Sequence, residues 1–163
     1  MASDEIQVRY VMDASCWISI EGHPRVNRIL GLIADLITAG RLECPREAWD
    51  EVERCPWVQA VIGQYEGQML RSHRQEVNYL LLVGELASKY PRMCGTRGIK
   101  EKGDGYVVAN AIFGGRISNP MRFVVVANES ASKRKIPAAC KEYGVECLTL
   151  VQMLAREFPD DGW

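Results

Sequence analysis

Phe123-Val124-Val125-Val126-Ala127 decides how the chain is read. Consecutive β-forming residues with no polar alternation mark a strand covered on both faces, which is the habit of a parallel sheet. Upstream of it, Asp104 opens an apolar helix, Tyr106 to Phe113, that Gly114-Gly115 is expected to close. Downstream, the pattern gives a helix from about Ile136 to Tyr143 ending at Gly144, a strand from Val145 to Leu148, and a helix from Leu150 to Phe158. The tail from about Pro159 to Trp163 is expected to be loose. Towards the N-terminus, Val8-Arg9-Tyr10-Val11-Met12 is a second buried strand that stops at Asp13. Val26, Ile29, Leu30, Ile33, Leu36 and Ile37 repeat at helical spacing before Gly40. Arg41 to Cys44 is a strand stopped by Pro45, and a helix from about Glu47 to Arg54 follows it. Trp57 to Tyr90 is largely helical up to Pro91, and Arg92 to Gly103 is a glycine- and cation-rich loop. Strands alternating with helices predict an α/β fold, a three-layer α/β/α sandwich around a mostly parallel central sheet.

The composition is consistent with this. The 163 residues carry 20 Lys+Arg against 21 Asp+Glu, a formal net charge of -1, which does not announce a nucleic-acid surface but leaves a local one open. A chain of this length buries roughly 70% of its unfolded surface, enough for a core of its own, so residues 1–163 read as one domain. No apolar run approaches the ~18–20 residues that span a bilayer, and the acidic start MASDEIQ is unlike a secretory leader; a soluble, cytoplasmic protein is expected. Six cysteines, none in C-x-x-C spacing, read as reduced core fillers rather than bridges or a zinc site.

An open parallel sheet binds ligands outside the carboxyl ends of its strands, where strand order reverses. Four acids have a route to that edge. Asp13 ends the first strand, Glu51 lies on the helix after the second, Asp104 opens the helix before the strong strand, and Glu129 follows it. Clustered carboxylates repel by about 4 kcal/mol per pair at ~4 Å in a medium of effective dielectric near 20, so a cation or a proton must hold such a group together. All-oxygen ligands suit Mg²⁺ or Mn²⁺, which assist phosphodiester hydrolysis. Each acid also has a plainer reading. Asp13 starts a turn, Asp104 between Gly103 and Gly105 is a helix cap, Glu51 shares a solvated face with Glu47, Asp50 and Glu53, and Glu129 is a loop acid.

Other chemistries lack their motifs. There is no G-x-G-x-x-G after the first strand, no phosphate-binding G-x-x-x-x-G-K-[ST] and no G-x-S-x-G elbow. A Mg²⁺-dependent phosphatase or phosphotransfer domain would need a lysine at a strand end, and none stands there. Cations gather at Lys89, Arg92, Arg97, Lys100 and Lys102, and again at Lys133-Arg134-Lys135. Of these, Lys102, Lys133, Arg134 and Lys135 flank the acids and are candidate RNA-binding residues, able to hold a phosphate backbone or merely to solvate a loop.

Val11-Met12-Asp13-Ala14-Ser15, the acidic helix ending in Glu51, Gly103-Asp104-Gly105-Tyr106-Val107-Val108-Ala109 and Val124-Val125-Val126-Ala127-Asn128-Glu129 follow one another in the order of a PIN domain. The chain resembles the small VapC-like toxins over nearly its whole length. The resemblance implies a Mg²⁺- or Mn²⁺-dependent ribonuclease in which Asp13, Glu51 and Asp104 are the core metal-binding acids, Glu129 the fourth, and Ser15 a hydroxyl supporting the first. It also implies cleavage leaving a 5′-phosphate and a 3′-hydroxyl, an inhibitory antitoxin partner and a homodimer. The sequence departs from the family at Asn128-Glu129, where a threonine and an aspartate are common, and Glu47 and Asp50 compete with Glu51 for the second acid. A non-catalytic PIN-like module that binds RNA or protein is the alternative.

Overall fold

Five parallel strands carry the fold: β1 (Val8–Met12), β2 (Leu42–Pro45), β3 (Leu70–Arg71), β4 (Arg122–Val126) and β5 (Glu146–Leu148). The computed structural model describes residues 5–94, 103–129 and 135–163. The strands pair in the order β3-β2-β1-β4-β5. Tyr10 is level with Leu42 on one side and Val124 on the other, and Val11 with Glu43 and Val125. Val125 is in turn level with Cys147.

Helices α1 (Ala14–Glu21), α2 (Val26–Thr38), α3 (Arg46–Trp49), α4 (Pro56–Ile62) and α5 (Glu66–Met69) belong to the first half. The second half contributes α6 (Val77–Lys89), α7 (Pro91–Cys94), α8 (Asp104–Ile117), α9 (Lys135–Glu142) and α10 (Leu150–Glu157). Successive side chains of a strand point to opposite faces, yet Tyr10, Val11, Met12, Val124, Val125 and Val126 are all fully buried. Both faces are therefore covered. Helix α8 lies on β1, β2 and β4 with α6 and α9 beside it, while α1, α2 and α10 lie opposite. The three-layer α/β/α sandwich expected from the sequence is present, and its sheet is parallel throughout the described residues.

Helix α2 shows the local logic most simply. Its apolar repeat buries Ile29, Leu30, Ile33, Leu36 and Ile37, and Gly40 ends it at φ +70, a left-handed conformation that glycine adopts without steric cost. The Gly40 and Arg41 amides then return to the Ile37 and Leu36 carbonyls.

Several expectations are corrected. Gly114-Gly115 does not close α8, which continues to Ile117. A Cβ on Gly114 would stand 2.6 Å from the Phe123 ring, so this glycine lets the helix approach β4. The helix expected from Glu47 to Arg54 is broken into α3 and a 3₁₀ turn, Asp50–Val52. Within the largely helical middle, β3 adds two residues to the sheet edge opposite Cys44 and Pro45. The loop expected from Arg92 starts inside α7, and residues 95–102 lie outside the described residues. The tail is docked rather than loose. Arg28 forks onto both carboxylate oxygens of Asp161 at 3.0 and 3.1 Å, and the Arg25 guanidinium stacks 3.8 Å from the Trp163 ring. All six cysteines are free thiols, four of them buried. Among the described residues, no helix is long and apolar enough to cross a membrane.

Candidate functional site

In the order β3-β2-β1-β4-β5 the chain departs in opposite directions from β1 and β4, so the crevice of such a fold lies outside their carboxyl ends. Asp13 and Glu129 stand there. The Asp13 amide donates to the Val126 carbonyl at 2.9 Å, fastening the end of β1 to the end of β4. The Asp13 side chain caps α1, with Oδ2 accepting from the Ser15 amide at 3.0 Å. The helix-start reading of Asp13 is thus correct, but it accounts for one oxygen only. Asp13 is 3% exposed, and its Oδ1 is buried with no hydrogen-bond partner. Burial pushes the carboxyl above its ordinary value of 3.8, against the opposing hydrogen bonds from Ser15 and Ala14.

Ser15 serves both strand ends. Its amide holds Asp13, and its hydroxyl accepts from the Asn128 amide at 2.9 Å. Asn128 in turn accepts from the Leu150 amide through Oδ1, so the loop after β4 is anchored to α10 as well. Glu129 caps α9: Oε2 receives the Lys135 and Ile136 amides at 3.1 and 3.2 Å. Its carboxyl is raised first by burial and further by the charge of Asp13, while the α9 amides and the Lys135 ammonium oppose the rise. The two carboxylates therefore sense one another across the switch point.

The other two acids are joined separately. Glu51 Oε1 accepts from the Gly103 amide at 2.7 Å, immediately before Asp104. This junction is tight, because a Cβ on Gly103 would meet the Ala48 backbone at 2.5 Å. Asp104 is the first residue of α8 and not its cap; Gly103 holds that position. Of the acids competing for the second place, Glu47 is paired with Arg74 at 2.6 Å and Asp50 is exposed, whereas Glu51 touches the start of α8. The structure thus gives two pairs, Asp13 with Glu129 and Glu51 with the Gly103–Asp104 turn. Among the described residues, no three His, Cys, Asp or Glu side chains form a group that could hold a metal ion.

A family model described as "Domain of unknown function (DUF4411)" matches residues 10–158. The chain belongs to this family. Comparison with curated proteins found no match. The match to DUF4411 runs from β1 into the residue after α10 and takes in all four acids.

Among the cations, Lys135 opens α9 next to Glu129, while Lys102, Lys133 and Arg134 lie outside the described residues. Asn128, one of the two residues at which the sequence departs from the family it resembles, bridges Ser15 and Leu150. One contributor of this DUF4411 chain escaped the sequence reading. Glu43, level with Val11 in mid-sheet, is 3% exposed with its Oε2 unpartnered. Burial lifts its carboxyl to about 7 although Arg9 and Arg71 pull the other way. A glutamate between Leu42 and Cys44 in an expected strand was the available signal.

Proposed function

We propose that this chain is a Mg²⁺- or Mn²⁺-dependent ribonuclease of the PIN kind, with Asp13 at the centre of its site. The observation that supports this most is the Asp13 carboxylate itself, buried at the β1/β4 switch point with one oxygen unsatisfied. A buried anionic oxygen without a partner is costly, and a hard cation is the partner that an all-oxygen set of Asp13, Glu129, Asp104 and Glu51 suits. Asp13 with Glu129 at the switch point would hold it first, and Glu51 and Asp104 would have to close on it from the start of α8. When bound, such an ion supplies a polarised water and neutralises charge on the phosphate.

The rest is the work of the chain. Ser15 and Asn128 fix the Asp13 turn against the end of β4, so the carboxylate is aimed before any ligand arrives. Glu129 commits Oε2 to the first amides of α9, which fixes its carboxylate beside the end of β4. Lys135, beside Glu129, offers an ammonium to an RNA phosphate. The resemblance to VapC-like toxins extends the proposal to a toxin restrained by an antitoxin protein. Val77, Leu80, Leu81 and Ile117, exposed on α6 and α8, offer that protein, or a second copy, an apolar face.

The test is cleavage of a labelled single-stranded RNA by purified protein with Mn²⁺, with Mg²⁺ and with chelator. Cleavage that requires the ion and disappears in Asp13→Asn, with the circular dichroism spectrum unchanged, supports the proposal. Intact RNA under every condition overturns it. A second reading, a non-catalytic PIN-like module that binds RNA or protein, is favoured by one observation: among the described residues the acids do not gather into a group of three that could hold a metal ion. RNA retained without the ion and never cut would establish that reading.

A further inference from the structure

Behind Glu129 lies a second chemistry that the nuclease proposal does not use. Helix α9 and strand β5 are joined by a tight turn at Gly144, with φ +69, and the Val145 amide returns to the Cys140 carbonyl at 2.8 Å. This brings Cys140, fully buried on α9, against Cys147, partly exposed in the centre of β5. Val125 is level with Cys147 and shares its face of the sheet, the one opposite Tyr10 and α10, so Cys147 lies towards the layer that holds α9. Interaction with the Cys140 thiol holds Cys147 below the ordinary thiol value, against burial and the charges of Glu129 and Asp13. The same interaction, and then burial, push Cys140 upward. One thiol of the pair is therefore reachable and the more acidic; the other is fully buried on α9.

We propose that Cys140 and Cys147 are a modification site, forming a reversible disulfide by exchange with a small-molecule disulfide. The Cys147 thiolate attacks one sulfur of that molecule, forming a mixed disulfide and expelling one thiolate. Cys140 then loses its proton and attacks the Cys147 sulfur, which expels the second thiolate. The protein loses two hydrogens as two protons and two electrons, and the small disulfide is reduced to two thiols. The product cross-links α9 to β5, fixing the helix whose first turn holds Glu129. Pairing through a short loop keeps the two sulfurs at high effective concentration, so the second step outruns release of the mixed disulfide. Of the remaining four thiols, Cys16, Cys44 and Cys55 are buried in the core, and Cys94 is partly exposed at the end of α7. This proposal stands apart from the nuclease reading, since none of its steps uses a metal or RNA.

The experiment treats folded, fully reduced protein with oxidised glutathione, followed by intact mass, free-thiol titration and non-reducing peptide mapping. The expected result is a loss of two hydrogens, a fall from six free thiols to four, and a peptide linked through Cys140 and Cys147. Dithiothreitol reverses all three. Cys140→Ser is expected to stop at the mixed disulfide, gaining the mass of one glutathione, while Cys147→Ser forms neither product. Mapping of the unmodified sequence needs no variant, so a folding failure in either leaves the test intact. Six free thiols after treatment, a link through Cys16 or Cys94, or a link that forms only in denaturant overturns the proposal.

Discussion

The two ends of the central sheet treat a buried carboxylate in opposite ways. At the amino ends of the strands, Glu157 of α10 receives both prongs of Arg41 at 2.6 Å and the Tyr10 hydroxyl at 2.6 Å. Burial works against the charge there, but the Arg41 and Tyr10 hydrogen bonds prevail and hold the Glu157 carboxyl below its ordinary value. At the carboxyl ends, Asp13 is buried more deeply and receives less, and burial prevails. A satisfied carboxylate fixes a helix to a sheet. An unsatisfied one lowers the stability of the fold and keeps coordination capacity for something outside the chain. The contrast separates the end of the sheet that maintains the fold from the end proposed to act.

The largest effect expected from this contrast is on activity. Asp13→Asn should lower Mn²⁺-dependent cleavage by at least about 100-fold, because loss of even an outer partner of a metal ligand costs 10–100-fold. Asparagine still caps a helix, so the fold should survive. Its effect on stability should have the opposite sign. The raised Asp13 carboxyl means the folded state binds a proton more readily than the unfolded chain. Its stabilising contribution is complete below about pH 4 and is lost as pH rises through the raised value. Metal-free Asp13→Asn should therefore melt higher than the parent at pH 7; a lower melting temperature would remove the strain assigned to Oδ1.

Glu157→Ala tests the other end. It leaves Arg41 and the Tyr10 hydroxyl without their acceptor, in a pair that is only partly exposed. Removing one member of such a pair costs about 3 kcal/mol, the lower end for a buried ion pair, readable as a shift of the urea midpoint. Cleavage by the remaining folded protein should be unchanged. The pH dependence also differs in sign, since stability from Glu157 is present above its unfolded value and is lost on acidification through the depressed one.

Glu43 lies between these extremes and sharpens the comparison. It has Arg9 and Arg71 nearby but no hydrogen bond to Oε2, and its carboxyl sits at about 7 instead of 4.5. The fold should lose on the order of 3 kcal/mol as pH rises from about 4.5 through 7. Glu43→Gln should flatten that part of a melting-temperature profile and stabilise the protein at pH 8. A profile unchanged by the substitution would show that Glu43 is paired in solution.

How much of this was legible depends on the range of the interactions. Strand identity and the periodicity of α2 are local, and both were readable. Asp13 and Glu129 were readable as strand-end acids because Asp13 directly follows an apolar run and Glu129 follows one after a single asparagine. Their pairing required β1 to lie beside β4, which the parallel fold class allows but does not specify. The orphaned oxygens of Asp13 and Glu43 were not readable, since they depend on which helix covers each face. Gly114 misled because its purpose is the approach of α8 to Phe123, a tertiary contact, and not a helix stop. The Glu51–Gly103 bond spans 52 residues of sequence, and no periodicity encodes it.

The docked tail is the smallest of these long-range effects and the easiest to overestimate. Arg28 and Asp161 are 133 residues apart and form a two-pronged bond, but Arg28 is more than half exposed. Exposed pairs contribute about 0–1 kcal/mol after screening and side-chain entropy, and the stacking of Arg25 on Trp163 adds about 0.5–1 kcal/mol, the range for an exposed cation–π contact. Arg28→Ala should therefore lower stability by less than about 1 kcal/mol, and most of that small loss should disappear in high salt. A loss that persists in high salt would place the tail with Glu157 among the contacts that maintain the fold. The expected result leaves it a surface clasp, shared between the Asp161 ion pairs and the Trp163 indole ring.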